Sequence, residues 1–207
     1  MSAFSKASFL ASAAKPADIP PQAGPELAFF GRSNVGKSSA INALAGRRRL
    51  AFVSRTPGRT RTINFYSLGD AARLADLPGY GYASAPRSVR AGWDPLLGAY
   101  LASRRLAAAV VLMDARRPLT GADQAFLAWL APVEAPLLVL LSKSDKLARA
   151  ALAETLQATR RLLAKAGFAA HTMGFSCKDR DSVDAVRAYL EARVAEASRG
   201  NKKPPAS

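Results

Sequence analysis

The stretch GRSNVGKSS, residues 31–39, constrains this chain more than any other. Gly31, four further residues, then Gly36, Lys37 and Ser38 stand between the apolar run ELAFF and SSAINALA, a run of good helix formers. A strand, a glycine-bearing loop and a helix in immediate succession is the context in which G-x-x-x-x-G-K-[ST] holds phosphates. Glycine permits backbone angles that turn successive N–H groups inward around anionic oxygens. Lys37 brings a positive charge to β and γ phosphates, and Ser38 offers Mg²⁺ a hydroxyl ligand. The helix opening at this point aims its positive end at the same anions. Arg32, Ser33, Asn34, Val35 and Ser39 complete the predicted phosphate-binding loop.

The rest of the chain repeats the alternation of strand and helix. Apolar runs lie at 26–31, 63–68, 73–79, 109–115, 136–145 and 170–176, each reaching a loop residue at its end. Continuous runs of this kind suit strands covered on both faces. Helical segments are predicted at 37–45, 88–103, 120–130, 148–166 and 181–197. The alternation predicts an α/β fold with a largely parallel sheet, in which ligands sit at the carboxyl ends of the strands. No internal repeat is present. The predicted layout is a flexible tail over 1–23, one domain over 24–197 and a basic tail over 198–207.

Further motifs stand at those strand ends. Asp76-Leu77-Pro78-Gly79 closes the third run; Asp76 is placed to hold Mg²⁺ through water, and the Gly79 N–H to meet a γ phosphate. Between it and the first loop, residues 54–65 form a polar stretch with Gly58, Arg59, Thr60, Arg61 and Thr62. A loop whose threonine closes over Mg²⁺ and γ phosphate is the first switch of a GTPase. Spacing does not decide between Thr60 and Thr62, and Arg55, Arg59 and Arg61 fit phosphate, RNA or solvent equally. Ser142-Lys143-Ser144-Asp145 closes the fifth run, where GTPases carry [NT]-K-x-D. The Asp145 carboxylate can accept from guanine N1–H and the 2-amino group, donors that adenine lacks, and buried polar groups left unpaired reject the wrong base strongly. The Lys143 stem would pack along the base, and the Ser142 hydroxyl can replace that of a threonine. Phe175, Ser176 and Cys177, at the end of the last run, suit main-chain contacts to guanine O6. His171, the only histidine, reads as core filler.

Composition narrows the partners. The 207 residues are 49% hydrophobic, enough for one sizeable core. Lys and Arg number 30 against 15 Asp and Glu, a net charge of +15 that draws the chain toward polyanions, nucleic acid first and an anionic membrane surface second. Arg47 to Arg49, Arg104 with Arg105, Arg116 with Arg117, Arg160 with Arg161, and Lys202 with Lys203 are scattered basic points. A single cysteine precludes an internal disulfide and suits a reducing cytoplasm. No apolar run reaches 18 residues, so no membrane span is expected.

With these motifs in order, the chain resembles the TrmE-Era-EngA-like class of P-loop GTPases and, more narrowly, the EngB (YihA/YsxC) family of ribosome-biogenesis GTPases. The residues that carry the resemblance are GRSNVGKSSAINAL, SRTPGRTRTINFY, DLPGYGYA and VVLMDARRPLTGADQAFLAWL. It implies a three-layer P-loop GTPase fold with a mostly parallel six-stranded sheet, one antiparallel strand, and helices on both faces. It implies GTP or GDP with Mg²⁺, and a cytoplasmic monomer, free of membrane, that assists assembly of the large (50S) ribosomal subunit on rRNA and supports septation. Thr60 falls on the family's Mg²⁺ ligand, with Ser38 and, through water, Asp76; Thr62 ranks second. Lys37, Thr60 and Gly79 become the catalytic candidates.

Where signalling GTPases place a water-orienting Gln after D-x-x-G, this chain has Tyr80. Tyr80 could shield the site, stack on a partner or be a plain surface aromatic. Slow intrinsic hydrolysis, accelerated by a partner, is the expectation. In related GTPases Asn at the position of Asn34 marks K⁺ dependence; the alternative is a residue that only fixes the turn. The opposing functional class is a switch acting on division machinery without the ribosome. An ATP-dependent kinase is disfavoured by Asp145.

Overall fold

The computed structural model describes residues 2–51, 62–80 and 95–200. The strands are β1 (Ala7–Ala13), β2 (Glu26–Gly31), β3 (Ile63–Leu68), β4 (Arg73–Asp76), β5 (Leu106–Asp114), β6 (Leu137–Ser142) and β7 (Ala170–Phe175). The helices are α1 (Lys37–Ala45), α2 (Pro95–Ala102), α3 (Gly121–Leu130), α4 (Arg149–Lys165) and α5 (Arg180–Gly200). The strands form one sheet in the order β1-β3-β4-β2-β5-β6-β7. β3 is antiparallel to both its neighbours, whereas the pairs from β4 across to β7 are parallel.

Alternation along the strands builds three layers. Leu27 and Phe29 of β2, with Val110 and Leu112 of β5, pack toward Ile41 and Leu44 of α1 and Val186 and Leu190 of α5. Ala28 and Phe30, with Val111 and Met113, pack on the opposite face toward Tyr100 of α2, Phe126 of α3 and Leu163 of α4. Every residue of β2 and of β5 is buried, as expected of strands covered on both sides. β2 has β4 on one side and β5 on the other, so the chain's winding reverses beside it. Ligand crevices open at such a point, outside the carboxyl ends of the strands.

Two expectations about the ends are corrected. The sheet has seven strands, not six, because residues 7–13 of the expected flexible tail form edge strand β1 on β3, with a bulge between Phe9 and Ala11. Its sequence, ASFLASA, is made largely of small residues with low strand preference, so no apolar run announces it. Phe4 is buried in the core, and the Ser2 hydroxyl donates to Glu191 of α5 at 2.6 Å. At the other end α5 continues to Gly200, past the expected boundary at 197. Lys202 and Lys203 lie outside the described residues.

At the end of the sheet opposite the phosphate loop, Glu26 is fully buried. It accepts from the Tyr100 hydroxyl at 2.7 Å and from Arg104 Nε at 3.1 Å. The Arg104 guanidinium lies 5.5 Å from the Tyr100 ring centroid and also donates to the Pro20 carbonyl. Arg104 is therefore an internal counter-ion rather than one of the surface basic points.

Candidate functional site

The phosphate loop is shaped by three backbone positions. At Gly31 a Cβ would come within 2.6 Å of Val35 Cγ1 and 3.2 Å of the Leu112 carbonyl oxygen, so only glycine lets the loop fold back on β5. Asn34 stands at φ 62° and Gly36, the N-cap of α1, at φ 102°, both in the left-handed region. Gly36 has no side chain to cap the helix, and the first amides of α1 have no partner within the helix. That is the donor arrangement an anion satisfies.

The 76–80 segment is stitched to this loop. Leu77 N donates to Phe29 O at 3.1 Å, Tyr80 N to Gly31 O at 3.2 Å, and Ser33 N to Tyr80 O at 3.3 Å. A Cβ on Gly79 would stand 3.1 Å from Ser33 N, so glycine there sets how closely the two segments approach. Leu77 is buried and Pro78 half-buried, which fixes the turn. Asp76, 5% exposed, receives the Lys37 ammonium on Oδ1 and the Ser38 hydroxyl on Oδ2 at 3.5 Å. Lys37, Ser38 and Asp76 thus meet at one point. Among the described residues no cluster of three or more His, Cys, Asp or Glu could hold a metal by itself. One carboxylate and one hydroxyl suit Mg²⁺, which takes the balance of its shell from phosphate oxygens and water.

The segment expected to read the base, residues 142–145, converges from the other side. The Ser142 hydroxyl donates to Val35 O at 2.8 Å. Lys143, at φ 57°, donates through Nζ to Asn34 O at 3.0 Å. Ser144 is buried behind them. Asp145 Oδ1 accepts from the Ser176 hydroxyl at 2.8 Å, and that bond chiefly holds its carboxyl below the usual carboxylate range, with the more distant Lys178 and Lys146 adding to it. Phe175 and Ser176 are buried, whereas Cys177 is exposed at the loop tip and has no packing role. The arrangement can present an ionised carboxylate to two neighbouring N–H donors beside a phosphate cradle.

Some candidates fall elsewhere. Gly58, Arg59, Thr60 and Arg61 lie outside the described residues; Thr62 stands half-buried one residue before β3. Tyr80 is not a surface aromatic: it is 5% exposed, stacks on Phe126 at 4.3 Å and donates to Asp123 at 3.0 Å. Burial, then the Asp123 charge, raises its hydroxyl far above the ordinary tyrosine range. Nor is His171 core filler; it is exposed on edge strand β7 and stacks on Tyr189 at 4.7 Å.

Sequence reasoning passed over Asp114 and Asp123 as individual residues. Asp114, the last residue of β5, accepts from Lys143 at 3.1 Å and from both arms of Arg116, at 2.9 and 2.7 Å. The Arg116 bonds above all hold its carboxyl far below the usual range. An acid at a strand's carboxyl end was the available signal. Asp123 closes a capping box with Thr120 at the start of α3, a pattern visible in TGAD.

The family model described as "50S ribosome-binding GTPase" matches residues 26–143. The chain is 45% identical over 206 residues to the "Probable GTP-binding protein EngB" of Azoarcus sp. strain BH72, covering 99% of each chain. In fold it is similar to a crystal structure of a probable GTP-binding protein EngB, with a TM-score of 0.60 at 21% identity over 83% of this chain and 99% of that one. It is also similar to Era solved with MgGDPNP and nucleotides 1506–1542 of 16S ribosomal RNA, with a TM-score of 0.61 at 21% identity over 81% of this chain and 56% of that one. No described helix is long and apolar enough to cross a membrane. Identity spread over almost the full length of a curated relative, on a fold that brings the 31–39 loop, the 76–80 segment and the 142–145 segment together, places the chain in the EngB family of GTP-binding proteins, P-loop GTPases that bind guanine nucleotide and hydrolyse GTP.

Proposed function

We propose that this GTPase is an assembly factor for the large (50S) ribosomal subunit, docking on its rRNA in the GTP state and leaving after hydrolysis, and that normal septation depends on it. The observation that carries this reading is a net charge of +15 on a fold whose 76–80 segment is stitched to the phosphate loop. The charge supplies an rRNA partner and the stitching supplies a nucleotide switch. The description of the matching family and the RNA bound to Era support the same class of partner.

At the site, the N–H groups from Gly31 to Ser39 surround the phosphates, and Lys37 neutralises charge that grows on the β and γ oxygens as the bond breaks. Ser38, Thr60 and, through water, Asp76 would hold Mg²⁺, which when bound would supply positive charge against the negative charge that develops on the phosphate oxygens. Gly79 offers its N–H to the γ phosphate. Asp145 selects guanine, with the Lys143 stem along the base and Ser176 orienting the carboxylate. Tyr80, buried against Phe126 and engaged with Asp123, does not orient water, so intrinsic hydrolysis is slow and a ribosomal partner accelerates it. Asn34 would be the K⁺ ligand, and the ion when bound would supply the positive charge that an arginine finger supplies in other GTPases; equal rates in K⁺ and Na⁺ with the ribosomal partner present would contradict this role.

Cosedimentation with 50S particles across a salt series tests the reading. Association in a non-hydrolysable GTP analogue, lost in GDP and weakened steeply by salt, is expected. Absent or nucleotide-independent association would overturn it.

A further inference from the structure

The edge of the sheet farthest from β1 carries a cluster that the nucleotide site does not use. β7 is the terminal strand, flanked by α4 on one face and α5 on the other. His171 is exposed and lies nearly parallel to the Tyr189 ring of α5, at 4.7 Å and 8°. The Arg193 guanidinium stands 5.4 Å from the Tyr189 centroid, and its Nε is buried without a hydrogen-bond partner. From the opposite layer, Arg160 of α4 donates to the Thr172 carbonyl at 2.9 Å, beside an exposed Arg161. Two layers of the fold thus deliver arginines to an exposed aromatic stack.

We propose that this β7 edge is a contact site for single-stranded RNA, with His171 on Tyr189 as the surface on which a base stacks and Arg160, Arg161 and Arg193 as phosphate contacts; it rests on the rRNA-binding reading and adds to the GTP-dependent docking a second RNA contact that is independent of the nucleotide. An aromatic face combined with cations is how proteins hold unpaired nucleotides, whereas duplex RNA is met through shape and 2′-hydroxyl contacts. Burial first, then Arg160 and Arg193, lower the His171 pKa, which favours the uncharged imidazole as a flat stacking ring. Glu196 answers part of the Arg193 charge, while Arg160 and Arg161 have no acidic partner among the described ion pairs. Arg160 also shields the free strand edge from another strand. Edge protection alone needs neither the aromatic stack nor Arg161. His171 lies four residues before Phe175, about 13 Å along the strand from the base-reading loop, so RNA held here need not sense the nucleotide.

Fluorescence anisotropy with a labelled unstructured RNA and a hairpin duplex of equal length, using the full chain bound to GDP or to a GTP analogue, tests the site. Wild type should prefer the single strand equally in both nucleotide states. H171A/Y189L should weaken it about tenfold, and H171F should retain it. R160Q/R161Q should flatten the salt dependence. Unchanged GDP affinity and melting temperature identify folded variants. If H171F is lost together with H171A/Y189L, or if H171A/Y189L binds RNA as wild type does, the platform is overturned while 50S association in the GTP state still stands. Wild type that binds neither the RNA nor the 50S particle removes the rRNA reading and the platform together. Crosslinking of this edge to a ribosomal protein instead of RNA also overturns the proposal.

Discussion

Lys143 donates a hydrogen bond to the main-chain carbonyl of Asn34 at 3.0 Å, tying the 142–145 segment, the proposed reader of the base, to the 31–39 loop, the proposed phosphate cradle. The same ammonium donates to Asp114 at 3.1 Å, and Asp114 is in turn gripped by Arg116. Asp114 and the Asn34 carbonyl together set the direction of Lys143. Asp114→Ala frees the lysine and should weaken GDP binding about tenfold, or about 1.4 kcal/mol, the size of one charged hydrogen bond. Titration with a fluorescent GDP analogue measures it; unchanged affinity would show that Lys143 is positioned by the Asn34 carbonyl alone.

The Tyr80–Asp123 bond joins the segment after Asp76 to α3 inside the core. Tyr80→Phe keeps the stack on Phe126 but withdraws one donor from a carboxylate that Thr120 still serves, so a loss of about 1 kcal/mol is expected. Tyr80→Ala removes the ring as well and should cost about 3–5 kcal/mol. Urea unfolding distinguishes the two; equal small losses would contradict a buried role.

Arg104 is the counter-ion of a fully buried Glu26, whose Oε2 has no hydrogen-bond partner. Arg104→Met strands that carboxylate and should cost about 3–5 kcal/mol. Adding Glu26→Gln removes the buried charge and should recover most of the loss. A double variant as unstable as the single one would show that Arg104 acts through packing on Tyr100 and Phe65, and not through its charge.

The Asp145 carboxyl owes its lowered pKa chiefly to Ser176. A depressed carboxylate stays ionised to lower pH, and the benefit is lost as pH falls through its folded value. Ser176→Ala should therefore raise the Asp145 pKa toward the ordinary carboxylate range and move the acid limb of GDP binding to higher pH. An NMR titration of the carboxyl carbon reads the shift, and an unmoved pKa would assign the effect to Lys146 and Lys178.

Much of this was legible in the sequence because the buried strands are continuous apolar runs and the loops between them carry residues of narrow backbone tolerance. GRSNVGKSS between ELAFF and SSAINALA announced a strand, a turn and a helix at 37–45, where α1 lies. What escaped had no local pattern. β1 is a strand because β3 offers it hydrogen bonds, not because ASFLASA favours one. Sequence alone does not decide whether Tyr80 shields the site, stacks on a partner or faces solvent; α3 supplies both its stack and its acceptor. His171 sat in an apolar run, yet β7 is an edge strand and leaves it exposed. Long-range partners decided each case.

Guanine selection by Asp145 is tested most directly by titrating the wild type and Asp145→Asn with GDP and xanthosine diphosphate. Xanthine carries an acceptor at C2 where guanine carries an amino donor, so an amide at position 145 should reverse the preference. Wild type should bind GDP at least a hundredfold more tightly than xanthosine diphosphate, and Asp145→Asn should show the opposite order. Asp145→Asn that still prefers GDP, with the fold intact, would contradict the role of Asp145 and with it the reading of the whole crevice.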